Sequence, residues 1–368
     1  MERGAGTLHR RAGGMVVTPG VHQVLAGAAP RDAITNHALL ARDVIRGMGM
    51  RSEVFADAGH LSRELGGTVI PHTRWDDLTE HDDRAILHYS IDSDAFDHVI
   101  ARAARTSLHY HNITPPELLW RDAPHIAWDC LRGRERLSAI VDKVQLTAAD
   151  SHFNADELVC LGVSEPSVIG ILRTPMTPSP RPAASGARPR LLFVGRGAPN
   201  KCQHDLVLAL AAMRDPGLDV DLRLVGSWGS NRAYLRRCEA LAAECGVTAR
   251  VQVLGSVTDA EMSTEFAGAD VFVCLSEHEG YGVPLIQAME ANLPIVAFAA
   301  GAVPETLGSA GLLLEDKRPS IVAEAVADVL GGALASRMAR GRVVQLEAHS
   351  HDATAARLRT FVERLVAC

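Results

Sequence analysis

Short apolar segments alternate with helix-forming segments along most of this chain, and that alternation restricts the fold more than any other feature. In the first half, the segments cover residues 14–21, 33–48, 52–56, 84–88, 96–104 and 106–111. The alternation resumes at residue 190 and continues to residue 298. Strands that alternate with helices in this way favour parallel sheets covered by helices. The alternation therefore predicts an α/β protein.

The length and the distribution of proline predict two domains. The chain has 368 residues, which exceeds the size at which one hydrophobic core usually stops growing. Five prolines lie in residues 173–189, and a proline-rich stretch is typical of a linker. We predict a polar, disordered leader (1–14), a first domain (15–175), a linker (176–189), a second domain (190–350) and a C-terminal helix that crosses back to the first domain (351–368).

Composition excludes several classes of partner. The net charge of -7 and the absence of a basic stripe argue against nucleic acid. Seven cysteines, an odd number without a C-x-x-C pair, are typical of reduced thiols in the cytoplasm. The longest weakly charged run, residues 291–304, is too short to span a membrane. We expect a cytoplasmic protein. Peripheral contact with a membrane stays an open alternative, although no segment supports it.

One segment of fifteen residues, 276–290, combines the end of a strand, a glycine turn and the start of a helix. Gly280 and Gly282 allow the backbone to turn sharply and to approach a ligand. The amides of the following helix can bind an anion such as a phosphate. Glu279 supplies an acceptor for sugar hydroxyls, and Gln287 lies about one helical turn further along. An ordinary βα turn, with glycines for geometry alone, explains the same pattern.

Two cations follow the first strand of the second half. Arg196 and Lys201 lie five residues apart in a loop that contains glycine. A planar guanidinium and a compact ammonium suit a diphosphate whose leaving oxygen gains charge in the transition state. The pair predicts a diphosphate site, and a solvated loop is the simpler alternative.

Histidines mark the ends of two strands in the first half. His109 and His111 share one face of a strand, because side chains repeat every two residues, and we expect one of them to line the cleft. His88 ends a neighbouring strand. An H-x-H pair with a third histidine is one way to begin a metal site, although no set of carboxylates at metal spacing follows. A buried core histidine is the simpler interpretation of His109.

A loop near the N-terminus opens a long helix. Arg31, Asp32 and Ala33 follow the first strand, so the loop faces the crevice at the carboxyl ends of the strands. Asp32 is also a typical helix N-cap.

The motifs of the second half resemble those of a known family. They are V-G-R-x-x-x-x-K with Arg196 and Lys201, S-E-H-E-G-Y-G-V-P-L-I-Q-A-M, N-L-P-I-V-A, and G-x-x-P-E at residues 301–305. Together they resemble the nucleotide-binding domain of retaining glycosyltransferases of family four, the bacterial group 1 glycosyl transferases. The H-Y-H-N-I-T-P and A-P-R-D-A-I segments are similar to acceptor-domain strands, with looser motifs.

The resemblance implies a GT-B fold, in which two Rossmann-like domains face each other across a cleft. It implies a nucleoside-diphosphate-sugar donor, a hydroxyl acceptor and no metal or other cofactor. The catalytic residues that it implies are His111, Arg196, Lys201 and Glu279. The donor-binding set is Gly195, Arg196, Lys201, Glu279, Gly280, Tyr281, Gly282, Val283 and Gln287, and the acceptor or loop set is Arg31, Asp32, Ala33, His88 and His109.

Two departures from the family pattern leave alternatives open. The second glutamate of the family's Glu-x7-Glu pair falls on Gln287, which brings no charge to the ribose. The paired glycines of the N-terminal loop are replaced by Pro30, Arg31 and Asp32. The alternatives to a transferase are a sugar phosphorylase or a nucleotide-sugar epimerase on the same fold, and a member that binds nucleotide sugars without turnover.

Overall fold

The first sheet contains seven parallel strands. The computed structural model describes residues 19–177, 179–180, 188–214, 217–229, 231–332 and 334–368. The strands are β1 Val21–Leu25, β2 Val54–Ala56, β3 Ile70–Pro71, β4 Arg84–Tyr89, β5 Arg105–Tyr110, β6 Leu146–Ala149 and β7 Ser167–Val168. Their order across the sheet is β3-β2-β1-β4-β5-β6-β7, and β1 pairs in parallel with both β2 and β4.

Helices connect these strands and cover the sheet. They are α1 Ala33–Gly47, α2 Trp75–Leu78, α3 Asp94–Ile100, α4 Pro124–Val141 and α5 His152–Cys160. The central strands β1, β4 and β5 contain almost only buried residues, as expected for a parallel sheet with both faces covered. Three helices begin at a side-chain cap, in which Asp32, Ser93 or Ser151 accepts a hydrogen bond from a backbone N–H of the first turn.

The second sheet contains six parallel strands in the order β10-β9-β8-β11-β12-β13. They are β8 Arg190–Val194, β9 Asp221–Val225, β10 Val251–Gly255, β11 Val271–Cys274, β12 Ile295–Phe298 and β13 Leu312–Leu314. The helices of this half are α6 Gln203–Ala212, α7 Arg232–Glu244, α8 Asp259–Gly268, α9 Val283–Glu290, α10 Val303–Leu307, α11 Pro319–Leu330, α12 Ala335–Ala348 and α13 His351–Ala367. The expectation of an α/β fold with two Rossmann-like sheets is confirmed.

The strand order reverses once in each sheet. In the first sheet the reversal lies between β1 and β4, and in the second it lies between β8 and β11. The chain leaves these neighbouring strands in opposite directions, so their following loops separate and open a crevice at the carboxyl ends of the strands. The loops after β1, β4, β8 and β11 are therefore the places to look for ligand sites.

Several element boundaries differ from the sequence expectations. The first described strand is Val21–Leu25 rather than residues 14–21, because the buried run continues to Leu25. Helix α3 ends at Ile100, four residues before the predicted end. Sequence patterns missed α4, because its first turn carries the exposed side chains of His125 and Trp128. The predicted leader and most of the linker, residues 178 and 181–187, lie outside the described residues.

The last helix, α13, packs on the first domain. Leu358, Phe361 and Leu365 join Ile45 of α1 and Ile86 of β4 in one buried cluster. The Arg84 guanidinium donates to the carbonyl oxygens of residues 365 and 366. In the described part of the chain, no single helix has the length and hydropathy to cross a membrane. Helix α11 passes the same test only in combination with the following span of α12 and α13, and the two parts are bent by 91° relative to each other.

Phe361→Ala should destabilise the protein strongly. The ring is 1% exposed, so its removal loses burial and leaves a cavity, at a cost of about 3–5 kcal/mol. Urea unfolding followed by circular dichroism would measure the free energy of unfolding. Val343→Ala is the matched control, because Val343 is 69% exposed and its loss should change stability by less than about 0.5 kcal/mol. Equal effects of the two substitutions would contradict the packing of α13.

Candidate active site

The loop after β8 is held rigidly by the loop after β9. The N–H of Gly195 donates to the carbonyl of Val225, and the N–H of Gly197 donates to that of Ser227. A Cβ on Gly197 would lie 2.1 Å from the Trp228 ring, and a Cβ on Gly226 would lie 2.1 Å from the Gly195 carbonyl oxygen. Only glycine permits both approaches.

Two buried amides hold the carbonyl groups of the same loop. Gln203 Nε2 donates to the Arg196 carbonyl oxygen at 2.9 Å, and Asn231 Nδ2 donates to that of Gly197 at 2.7 Å. Gln203 and Asn231 are 1% and 8% exposed. Sequence reasoning missed both, because each follows the loop by several residues and belongs to no motif. They fix the backbone that carries Arg196.

The two predicted cations of the diphosphate site point into different surroundings. Lys201 ends the short 3-10 helix Pro199–Lys201, and its Nζ lies 2.7 Å from Glu279 Oε2. Arg196 is exposed, and its guanidinium has no hydrogen-bond partner among the described residues. Burial raises the pKa of the Cys130 thiol and the charge of Arg196 offsets part of that rise, which places the guanidinium near α4 of the first domain.

The backbone of Glu279 is fixed by Gly301. The N–H of Ala302 donates to the Glu279 carbonyl at 2.8 Å. Gly301 has φ +57, and a Cβ there would lie 2.4 Å from the Glu279 carbonyl oxygen. This close approach explains why the 301–305 motif begins with glycine. The Glu279 carboxylate, 14% exposed, and the Lys201 ammonium, 18% exposed, are thereby held side by side between β8 and β11.

The glycine turn leads into α9 as the sequence predicts. Gly282 has φ +88 and precedes Val283, the first residue of α9. Gln287 lies one turn later and is half-buried. Its side-chain amide has no hydrogen-bond partner within the described part of the chain. Four predicted residues, Lys201, Glu279, Gly282 and Val283, thus surround the start of α9.

Gly280 and Tyr281 contact protein groups rather than open space. A Cβ on Gly280 would lie 2.6 Å from Asn112 Cβ and 3.3 Å from the His111 carbonyl oxygen. The Tyr281 ring is 4% exposed, and its hydroxyl is 2.8 Å from His349 Nδ1. Gly280 therefore lies at the contact between the domains, and Tyr281 joins the glycine turn to the C-terminal helices.

Cross-domain hydrogen bonds fix the turn against the end of β6 and the start of α5. The Ser151 hydroxyl donates to the Gly280 carbonyl at 2.8 Å. The Glu305 carboxylate accepts from the N–H groups of His152 and Phe153 at 3.0 and 3.1 Å, an arrangement that suits the positive end of a helix dipole. His278 Nε2 is bonded to Asn112 Oδ1. Sequence patterns missed these contacts, because each joins residues more than 120 positions apart.

Lys317 links the two loops that carry Lys201 and Glu279. Its Nζ lies 2.6 Å from Asp205, 2.7 Å from Glu277 and 3.2 Å from Cys202 Sγ. Burial alone would lower the pKa of Lys317, but the hydrogen bonds to the two carboxylates raise it above its ordinary value. Cys202 has φ 54, a left-handed conformation at a non-glycine residue. The Lys317 ammonium therefore contacts a residue in a strained backbone conformation next to Lys201.

Four histidines of the first domain form a buried cluster around one carboxylate. His111 Nδ1 is 2.9 Å from Asp150 Oδ1, and His109 Nε2 is at the same distance. His111 Nε2 is 2.8 Å from His88 Nδ1, and His88 Nε2 is 2.9 Å from Gln23 Oε1. Burial would raise the pKa of Asp150, but the charge of His111 and the hydrogen bonds of both imidazoles hold it well below its ordinary value.

The expectation that His109 or His111 lines the cleft stays a prediction. Both side chains are 0% exposed, because Asp150 at the end of β6 draws the imidazoles inward. His111 as a whole residue is 8% exposed, so its main chain is the part that reaches the surface. The simpler interpretation of His109, as a core histidine, fits this burial.

Hydrogen bonds to protein groups account for part of the cluster, whereas His37 Nε2 and His109 Nδ1 are buried without a partner among the described residues. His37, His88, His109 and His111 bring one nitrogen each to within 4.8 Å of one another. The Leu172 N–H donates to His37 Nδ1 at 2.8 Å, so Nε2 of a neutral His37 carries the proton and offers no lone pair. Burial lowers the pKa of His37 well below its ordinary value, which keeps the ring neutral. His88 and His111 use both of their nitrogens with protein partners.

The loop after β1 lines a cavity of about 330 Å³. Asp32 and His88 both line this cavity, and Arg31, Asp32 and Ala33 are all exposed. Asp32 Oδ2 accepts hydrogen bonds from the Thr35 N–H and hydroxyl, so Asp32 caps α1 as expected. Arg31 has φ 60. The cavity lies between β1 and β4, at the reversal of the first sheet.

Most of the second domain matches a known protein family. Residues 188–331 match the family described as glycosyl transferases group 1. A GDP-mannose-dependent alpha-(1-6)-phosphatidylinositol monomannoside mannosyltransferase of Mycobacterium tuberculosis is 33% identical over 154 residues, which cover 39% of this chain and 39% of that protein. The match therefore spans well under half of that relative. The resemblance noted in the sequence is confirmed for this domain.

Two further comparisons extend over both domains. A D-inositol 3-phosphate glycosyltransferase of Xylanimonas cellulosilytica is 27% identical over 348 residues, which cover 89% of this chain and 76% of that protein. The solved structure of a sucrose-phosphate synthase from Thermosynechococcus elongatus superposes with a TM-score of 0.75 at 18% identity, covering 95% of this chain and 99% of that one. The fold is GT-B, as the resemblance implied.

The stability of the protein should fall in acid partly through His278. Burial lowers the pKa of His278 to about 4, below that of the unfolded chain, so the unfolded state binds the proton first. The full stability is present above about pH 6.5 and is lost as the pH falls towards 4. His278→Gln removes this dependence and keeps a donor for Asn112. Between pH 7 and 5, the variant should lose about 2 kcal/mol less than the wild type in urea unfolding.

The exposed His81 supplies the control for this measurement. His81→Gln should leave the dependence of the unfolding free energy on pH close to that of the wild type. Parallel curves for His278→Gln and the wild type would show that His278 does not titrate as its burial requires.

Proposed function

We propose that this protein, whose residues 188–331 match the glycosyl transferases group 1, is a retaining glycosyltransferase. It moves a sugar from a nucleoside diphosphate to a hydroxyl group of an acceptor. The observation that carries this proposal is the placement of Lys201 and Glu279 at the strand-order reversal of the second sheet, 2.7 Å apart. The free guanidinium of Arg196 lies on the same side of that sheet.

The donor diphosphate binds between Arg196 and Lys201. Both cations follow β8, where its loop separates from that of β11, and the start of α9 adds backbone N–H groups on the other side. The departing diphosphate gains negative charge, and cations held in place beforehand stabilise that charge without reorganisation. The relative from M. tuberculosis is GDP-mannose-dependent, which supports a nucleotide-sugar donor here.

Glu279 orients the transferred sugar. Its carboxylate lies 2.7 Å from the Lys201 ammonium, and carboxylate oxygens accept hydrogen bonds from hydroxyl groups. The pairing also makes it a poor nucleophile, which favours attack of the acceptor on the face that the diphosphate leaves. His111 lies opposite Gly280 and contributes its main-chain carbonyl, since its imidazole is buried.

The reaction requires no metal ion in this proposal. Lys201 and Arg196 supply the positive charge that a divalent cation would bring to a diphosphate. The free thiols of all seven cysteines support a reducing compartment, and we place the reaction in the cytoplasm.

Removal of either cation should abolish most of the transfer. Lys201→Ala and Arg196→Ala each lose a donor to the leaving diphosphate, which costs about 2.7–4 kcal/mol of barrier, or about 10²–10³ in kcat. Transfer and donor hydrolysis would be followed by chromatography with several nucleotide sugars. Lys143→Ala is the control, because Lys143 pairs with Asp97 on the surface of the first domain.

Product analysis in the same assay separates the alternatives. Release of a sugar 1-phosphate in the presence of phosphate would identify a phosphorylase, and conversion of the donor alone would identify an epimerase. Binding without any product would identify a non-catalytic member. Near-normal transfer by both alanine variants would exclude the diphosphate site.

Gln287→Glu should strengthen donor binding. The half-buried Gln287 amide is free within the described part of the chain, and a carboxylate forms stronger hydrogen bonds with ribose hydroxyls than an amide does. We expect the Kd for the nucleoside diphosphate to fall about fivefold to tenfold, measured by calorimetry. Gln252→Glu, at an exposed position of β10, changes the net charge equally and should leave the Kd unchanged. A weaker affinity in Gln287→Glu would place the ribose elsewhere.

A further inference from the structure

The buried histidine cluster of the first domain joins three elements of the fold. It consists of His37 in α1, His88 in β4, His109 in β5 and His111 directly after β5. These residues are between 0% and 8% exposed, and one nitrogen of each ring lies within 4.8 Å of one nitrogen of every other ring. Imidazole nitrogens that meet in this way suit a transition-metal ion, and the positions of their protons decide whether they can bind one.

The outer nitrogens of three rings face oxygen atoms that accept hydrogen bonds. Asp150 accepts from His111 Nδ1 at 2.9 Å and lies at the same distance from His109 Nε2. The amide oxygen of Gln23 lies 2.9 Å from His88 Nε2. Burial lowers the pKa of His88 and of His109, which keeps these rings neutral. With the protons on the outer nitrogens, the lone pairs lie on His88 Nδ1, His109 Nδ1 and His111 Nε2.

Two of these lone pairs face each other. His88 Nδ1 lies 2.8 Å from His111 Nε2, a distance at which one of the two nitrogens has to donate a hydrogen bond. Neither can donate while both rings are neutral and their protons point towards Gln23 and Asp150. A cation between the two nitrogens, either a proton or a metal ion, removes this conflict.

His109 Nδ1 favours a metal ion over a proton. It is buried and has no partner in the described part of the chain, and an unsatisfied buried acceptor is costly. A proton shared by His88 and His111 provides no partner for it. Reversal of the Gln23 amide, which would let His88 donate to His111, provides none either. A metal ion accepts all three lone pairs at once.

The groups around the three rings match the outer shell of a metal site. A histidine that binds a metal ion ordinarily donates its other ring N–H to a carboxylate, a carbonyl group or water. Asp150 accepts in this way from two rings, and Gln23 accepts from the third. Asp150 is 2% exposed, so its negative charge is buried next to the place where a cation would bind.

His37 supplies a hydrogen-bond donor at the fourth position and not a fourth nitrogen ligand. The Leu172 N–H donates to His37 Nδ1 at 2.8 Å, so the proton of the neutral ring is on Nε2. This Nε2 is buried without a partner among the described residues. An oxygen atom bound to the metal ion would accept its hydrogen bond. A hydroxide in that place, together with Asp150, would balance the two positive charges of a divalent ion.

The ring positions need little adjustment to hold a tetrahedral ion. Bonds of about 2.0–2.1 Å from zinc to imidazole place two ligand nitrogens about 3.3 Å apart. His88 Nδ1 and His111 Nε2, now 2.8 Å apart, would separate by about 0.5 Å. His88 also lines the cavity of about 330 Å³ at the strand-order reversal, which gives an ion a route to the cluster.

We propose that His88 Nδ1, His109 Nδ1 and His111 Nε2 bind one divalent transition-metal ion, with a hydroxide as the fourth ligand. Three imidazoles and one oxygen in a tetrahedron form an arrangement that zinc adopts. The ion joins β4 to β5 and, through the hydroxide and His37, to α1. The inference goes beyond the proposed function and leaves it unchanged, because the proposed transfer uses none of these ring nitrogens.

Cobalt and zinc titrations of the full-length protein test this site. Protein made without a histidine tag is treated with a chelator, and Co²⁺ is then added to the wild type, His109→Phe, Asp150→Asn and His81→Gln. The visible absorption of Co²⁺ is intense in a tetrahedral site and weak in an octahedral one. His81 is exposed, so His81→Gln is the matched control for the loss of a histidine.

The wild type and His81→Gln should bind one Co²⁺ per chain with intense absorption, and Zn²⁺ should displace it. His109→Phe keeps a ring and loses a ligand, so the intense absorption should disappear. Asp150→Asn keeps all three ligands and weakens their outer hydrogen bonds, so the affinity for Zn²⁺ should fall about 10-fold to 100-fold.

Circular dichroism shows whether each variant folds, and the titrations of the wild type and Asp150→Asn test the site even if His109→Phe does not. Failure of the folded wild type to bind metal, or a weak octahedral spectrum, would overturn the proposal. Equal affinities of His109→Phe or Asp150→Asn and the wild type would overturn it as well. So would a cobalt–thiolate band, which would place the ion among Cys202, Asp205 and Glu277.

Discussion

The reversal of strand order in each parallel sheet is the constraint on which the rest of this structure depends. Parallel strands require crossover connections through helices, and the crossovers place successive loops at the carboxyl edge of the sheet. At β1/β4 and β8/β11, neighbouring loops diverge and leave a crevice. The donor site and the first-domain cavity lie in these crevices, one in each domain.

Contacts between the domains place the two crevices opposite each other. The Glu305 carboxylate of the second domain caps α5 of the first domain. The Ser151 hydroxyl of the first domain donates a hydrogen bond to the Gly280 carbonyl of the second. The glycine turn therefore supports the donor site on one side and the domain interface on the other. A shift of α5 would displace Gly280. Because the backbones of Gly301 and Glu279 are in contact, Glu279 would move with it. The position of Glu279 and the contact between the domains are therefore linked through this turn.

Charge is distributed unevenly between the two crevices. The second domain carries Arg196, Lys201 and Lys317 around its turn, which suits a diphosphate. The first domain buries its imidazoles around Asp150 and faces its cavity with Asp32.

Local patterns were sufficient for the fold class and for part of the site. Glycines at 280, 282 and 301 are visible in the sequence because close backbone approach admits no other residue. Arg196 and Lys201 are visible because they directly follow a strand. Lys317, Asp150 and Glu305 were not visible, since each acts on residues that are distant in sequence. The burial of the His109 and His111 rings was not visible either, because strand periodicity reports a shared face and not whether that face reaches the cleft.

The sequence by itself determined the alternation of strands and helices, the α/β class, and the glycine turn with its carboxylate, because these follow from local periodicity and backbone sterics. The tertiary structure alone decided the burial of the histidines around Asp150, the ion pair of Lys201 with Glu279, and the cavity at the strand-order reversal of the first sheet. These depend on which residues meet across the sheets and between the domains. Such meetings are set by packing over long sequence separations, which no local pattern records.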